Sequence, residues 1–84
     1  MDLSRRLADS LRRARKQAGL SQAEMARILG LSQPTLNRLE NGGQNTTLKT
    51  LTQLCRAFRC DPGALFKGDV RIRRQSRYGG PPVT

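Results

Sequence analysis

The chemistry open to this sequence is that of amides and guanidinium groups. In the stretch SQPTLNRLEN, residues 32–41, Gln33, Asn37, Arg38 and Asn41 carry hydrogen-bonding side chains within nine residues, with Pro34 among them. A glutamine amide offers a donor beside an acceptor, the complement of an adenine edge. An arginine offers two parallel donors, the complement of a guanine edge, and an apolar ring such as proline can meet a thymine methyl. Groups for other chemistry are scarce. Histidine is absent, which removes the commonest general base and metal ligand. The two cysteines, Cys55 and Cys60, do not make a zinc site without further ligands. The residues therefore point to a binder, with no metal, no cofactor and no catalysis.

Charge says what is bound. Sixteen Lys and Arg against six Asp and Glu give a net charge of +10, and thirteen of the cations are arginine. Such a surplus fits an anionic partner, nucleic acid first and an anionic membrane surface second. A chain of 84 residues holds one small domain. Domains of this size are marginal alone, and dimerisation is a common remedy. No stretch is long and apolar enough for a signal peptide or a membrane span. Two thiols without a disulfide framework fit a reducing, cytoplasmic compartment.

Helices must position these side chains. Leu3, Leu7, Leu11, Ala14 and Ala18 recur at helical spacing, so a first helix spans about 3–18 and stops at Gly19. The phrase Gly-Leu-Ser then occurs twice, at 19–21 and 30–32. Ser21 with Glu24 makes a capping box, and Leu20 can staple to Met25. Gly30 ends the second helix near Leu29. Leu31, Ser32 and Leu36 repeat the pattern for a third, with Pro34 tolerated in its first turn. That helix runs to about Asn41, where Gly42 and Gly43 end it. Each Gly stops one helix, each Leu staples the next and each Ser caps it. Leu48, Leu51, Leu54, Cys55 and Phe58 mark a fourth helix capped by Thr47. Asp61-Pro62 opens a short fifth helix carrying Leu65 and Phe66. The spacing predicts an all-α, five-helix domain over 1–68 and a basic tail over 69–84 with a disordered end. Val70 and Ile72 alternate with Arg71 and Arg73, a pattern for a short strand at 70–73.

Two short helices joined by a tight glycine turn describe a helix-turn-helix. The chain resembles the phage-repressor (Cro-like, XRE-type) family of DNA-binding domains over residues 11–68. The resemblance rests on Gly19-Leu20-Ser21-Gln22, small Ala26, Gly30 in the turn, inward Leu36 and Leu39, Glu40-Asn41-Gly42, and the later helices. Ala26 is small where the third helix crosses the second, and Gly30 permits a positive φ. The resemblance implies a lambda-repressor-like fold in which the third helix enters the major groove of double-stranded DNA. On that basis Gln33, Pro34, Asn37 and Arg38 are the base-reading candidates. Gln22, Asn41, Gln44 and Asn45 are phosphate candidates, and Arg15 with Glu40 matches a structural ion pair.

Residues 21–41 sum to zero charge, while residues 1–20 and the tail from Lys67 each carry +4. Attraction thus comes from the surroundings of the reading helix, which suits a division between phosphate affinity and sequence readout. The implied protein is a dimeric transcriptional repressor, with Leu65, Phe66, Val70 and Ile72 as candidates for the homodimer contact. The alternative on the same fold is an antitoxin that binds a toxin protein and represses its own operon.

Overall fold

The computed structural model describes residues 2–43 and 46–72; Gln44, Asn45 and Arg73 lie outside the described residues. It holds five helices: α1 (Leu3–Ala18), α2 (Gln22–Leu29), α3 (Gln33–Glu40), α4 (Leu48–Phe58) and α5 (Pro62–Lys67). Each begins at a side-chain cap. Asp2 accepts from the Ser4 amide, Ser32 from Thr35, Thr47 from Thr50 and Asp61 from Ala64. At α2 the cap is reciprocal: Glu24 N–H donates to Ser21 Oγ at 3.1 Å, and Ser21 N–H donates to Glu24 Oε1 at 2.8 Å. Such caps satisfy the amides that a helix start leaves without partners.

One core joins all five. Leu7, Leu11 and Ala14 of α1 meet Met25, Ala26 and Leu29 of α2 and Leu36 and Leu39 of α3. Leu54, Phe58 and Leu65 close it from α4 and α5. Helix α1 packs on α3 and α5, α2 packs on α3 and α4, and α4 packs on α5. Helix α3 is therefore held from two sides, with its remaining face turned outward.

The α2–α3 turn has its own brace. Gly30 sits at φ 73°, the left-handed region. Gln53 of α4 reaches it, and its Nε2 donates to the carbonyls of Leu29 at 3.1 Å and Gly30 at 2.6 Å. These are carbonyls the end of α2 leaves without helical partners. Helix α4 ends on Arg59, whose φ of 55° is left-handed in a residue with a Cβ, a conformation that costs about 1–2 kcal/mol.

Several expectations need correction. Residues 70–72 form no strand. After the Gly68 turn the Asp69 amide returns to the Ala64 carbonyl, and Val70 drops into the core at 6% exposure. Val70 and Ile72, both after Gly68, pack with the core of the helical domain. Leu65 is fully buried in the same core, so neither Leu65 nor Val70 has a side chain left for a second copy. Phe66 and Ile72 pack against that core and are half-buried. Leu48 has the right helical spacing for the inner face of α4, yet it is 80% exposed. It occupies the first position of α4, ahead of the turns that lie against α2 and α5. Leu3, at the start of α1, is exposed for the same reason.

Among the described residues no helix is long and apolar enough to cross a membrane, and no group of three or more His, Cys, Asp or Glu side chains could hold a metal ion.

Candidate nucleic-acid interface

Helix α3 buries Leu36, Leu39 and Glu40 and leaves Gln33, Pro34, Asn37 and Arg38 exposed. At about 100° per residue the three buried positions share one side of the helix. Pro34, Asn37, Arg38 and the capping Asn41 share the opposite one. Gln33 lies on the flank, about 140° from Arg38. These five side chains, with Gln22 from the start of α2 and Gly43 from the following turn, line one open hollow along α3. Among the described residues Arg38 is its only charged lining residue. The hollow brings together both Gln22 and Asn41, expected at phosphates, and all four residues expected at bases. Gln44 and Asn45, also expected at phosphates, lie outside the described residues.

The hollow is braced from behind by an ion pair. Arg15 Nε donates to Glu40 Oε2 at 2.9 Å, and Arg15 Nη2 donates to Glu40 Oε1 at 3.1 Å. This is the bidentate fork that guanidinium and carboxylate favour. The Glu40 side chain is 3% exposed and that of Arg15 20%. Arg15 Nη1 also donates to the Leu20 carbonyl at 3.3 Å. One arginine therefore ties α1, the loop before α2 and the end of α3.

Several contacts had no signal in the sequence. Arg12, which reads as a solvated helix cation, donates to the backbone carbonyl of Glu40 and pairs with Asp9. It thereby satisfies a terminal carbonyl of α3. Gln22 Nε2 donates to Glu40 Oε1 at 3.2 Å, and Gln22 Oε1 accepts from Asn37 Nδ2 at 3.3 Å. Asn37 Oδ1 in turn accepts from Asn41 Nδ2 at 3.2 Å. A run of amides thus connects the buried carboxylate to the exposed face. Gly43 lies against Arg38: its amide donates to the Arg38 carbonyl at 2.8 Å, and a Cβ built on it would stand 2.5 Å from Arg38 Cγ.

Cys55 and Cys60 are both free and half-buried. Burial pushes the Cys60 thiol up, with Cys55 and Asp61 adding to the shift. A protonated thiol is a poor nucleophile and a poor ligand.

The helix-turn-helix family model HTH_3 matches residues 11–65, and the chain belongs to that family. It is 35% identical over 52 residues to antitoxin HipB of Escherichia coli (strain K12), covering 62% of this chain and 59% of that protein. It is 28% identical over 74 residues to the ImmF control region 10 kDa protein of Bacillus phage phi105, covering 88% and 82%. Among solved structures it is similar to an HTH_3 family transcriptional regulator from Vibrio cholerae. The TM-score is 0.66 at 28% identity, over 82% of this chain and 40% of that one. The chain thus spans well under two thirds of HipB and of the Vibrio protein.

Proposed function

We propose that this chain is a sequence-specific DNA-binding transcriptional regulator that reads the major groove with α3 and binds as a homodimer. The observation that carries the reading is the hollow along α3. Its side chains are four amides, one guanidinium and the Pro34 ring, groups that match base edges, and all but Gln22 stand on or cap a helix locked from behind by Leu36, Leu39 and the Arg15–Glu40 pair. Side chains on a fixed helix can discriminate; side chains on a loose one cannot. Gln33 and Arg38 make the main base contacts, with Pro34 and Asn37 beside them. Gln22 and Asn41 hold phosphates, joined by Gln44 and Asn45 from the following loop. Two copies would place their reading helices in successive major grooves, about 34 Å apart. Phe66 and Ile72, half-buried at the edge of the core, are the candidates for the dimer contact. Selection of bound duplexes from a random pool tests the reading: it should yield a two-fold symmetric site with half-sites about one helical turn apart.

A second reading is favoured by the similarity to HipB, which is named an antitoxin. On it the chain also binds a toxin protein and represses its own operon. Recovery of a stoichiometric protein partner with the tagged chain supports this reading, and recovery of the chain alone supports a free regulator.

A further inference from the structure

We propose that the buried Glu40 carboxylate sets which way the amides of the reading face point, and so decides which hydrogen-bonding atoms that face offers to DNA. The DNA half of this proposal rests on the function proposed above; the amide orientation does not. Oxygen and nitrogen of a side-chain amide have nearly the same shape, so packing alone does not choose between the two orientations. A carboxylate chooses, because it only accepts. Glu40 takes two bonds from Arg15 and a third from Gln22 Nε2. Turning the Gln22 amide over would set its oxygen against Glu40 Oε1, at a carboxylate too buried for water to intervene.

The choice then propagates. With its nitrogen on Glu40, Gln22 has only an oxygen for Asn37, so Asn37 must present Nδ2. Asn37 is left with Oδ1 toward Asn41, and Asn41 must present Nδ2 in its turn. Every bond in the run donates toward Glu40. At its outer end Asn41 keeps Oδ1 free as an acceptor beside one remaining N–H, while at the inner end Gln22 has its oxygen engaged by Asn37 and retains one N–H. The two ends therefore suit different targets. An N–H at Gln22 suits a phosphate oxygen. The free Oδ1 of Asn41 suits an exocyclic amine, N6 of adenine or N4 of cytosine, and finds no partner on a phosphate, so this orientation turns Asn41 from the phosphate contact given above toward a base edge. Glu40 and Gln22 act here as positioning residues for Asn37 and Asn41.

Two substitutions cut the run at different places. Glu40→Gln replaces an obligate acceptor with a group that can face either way. Gln22→Met keeps the length of the side chain, leaves the Arg15–Glu40 pair intact and removes both amide bonds. The first measurement is made on the free wild-type protein by NMR. The Gln22 side-chain NH2 protons should show NOEs to Arg15 Hε and the Glu40 methylenes. NOEs from these protons to the Asn37 amide protons instead would overturn the proposed orientation. The second measurement is duplex selection at fixed salt. Both variants should relax the preference for an amine-bearing base, by about tenfold, at the same one or two base pairs per half-site. A uniform loss of affinity for all sequences in both variants would reduce the run to scaffolding and overturn the specificity claim. Failure of the wild type to select any sequence would overturn the DNA-reading function, and the NOEs report the amide orientation in that case too. If Glu40→Gln does not fold, Gln22→Met carries the second measurement alone.

Discussion

Arg15 and Glu40 meet fork to fork across the α1–α3 junction, at 2.9 and 3.1 Å, with the carboxylate buried and the guanidinium one-fifth exposed. The asymmetry decides what each deletion does. Removing one partner of a buried pair leaves the other charge without compensation, at a cost of about 3–5 kcal/mol. Arg15→Ala strands a buried carboxylate whose side chain keeps only the Gln22 amide bond. Glu40→Ala strands a guanidinium that can rehydrate and that keeps the Leu20 carbonyl. Thermal or urea denaturation should therefore rank Arg15→Ala as the more destabilised, with Glu40→Ala at or below the lower end of that range. Equal stability of Glu40→Ala and wild type would remove the pair from the account of the fold.

Gly30 and Gln53 should behave as one unit. An alanine at position 30 must hold a left-handed φ, at about 1–2 kcal/mol. Its Cβ would also stand 2.7 Å from Gln53 Nε2. That side-chain end can swing away, but only by giving up its bonds to Leu29 and Gly30, each worth about 0.5–1.5 kcal/mol. Gly30→Ala already displaces Gln53, so adding Gln53→Ala should cost less than it does in the wild-type background. Strictly additive unfolding free energies would show that the two do not communicate.

The sequence made the helices legible and left their meeting points obscure. Caps and stops are local, so Ser21, Ser32, Thr47, Asp61 and Gly30 could be read directly, as could the inward pair Leu36 and Leu39. The outward set on α3 followed, because a helix with one face buried has only one face to show. Contacts between helices carry no such local mark. Gln53 looks like any polar residue of α4 until the crossing with α2 brings it to the Gly30 carbonyl. Arg12 looks solvated until the end of α3 arrives beside it. Spacing put Leu48 inside because periodicity does not record where neighbouring helices end. Alternation suggested a strand at Val70 because it does not record the turn that returns the chain to the core.

Gly43 should matter for where Arg38 sits. A Cβ there would meet Arg38 Cγ at 2.5 Å and the Arg38 backbone oxygen at 2.8 Å. The stem of Arg38 can move; its carbonyl, already bonded to the Gly43 amide, cannot without shifting the turn. Gly43→Ala should therefore weaken binding to the selected site several-fold more than binding to random duplex. Competition titrations with both duplexes provide the measurement, and an equal loss on both would show that Arg38 had not been displaced from a base.

The tail should add affinity without adding preference. A chain stopped after Ile72 keeps Val70 in the core and loses Arg73, Arg74 and Arg77. Each lost phosphate contact flattens the slope of log K against log salt by roughly 0.9, so three cations can account for a change of at most about 2.7. The ranking of site variants should be unchanged. A reordered ranking in the shortened protein would assign base or shape readout to the tail.

In the proposed function Gln33 and Arg38 read bases from a helix locked to the core. Duplex selection from one random pool at fixed salt, run with wild type, Gln33→Ala and Arg38→Ala, tests it most directly. Each substitution should cost about 1–3 kcal/mol on the wild-type site and relax preference at one or two base pairs per half-site, different pairs for the two variants. Binding to random duplex should hold for Gln33→Ala, which removes no charge, and fall slightly for Arg38→Ala, which removes one. Recovery of the wild-type site by both variants, with preference undiminished at every position, would contradict the account and move readout to Asn37, Pro34 or the shape of the DNA.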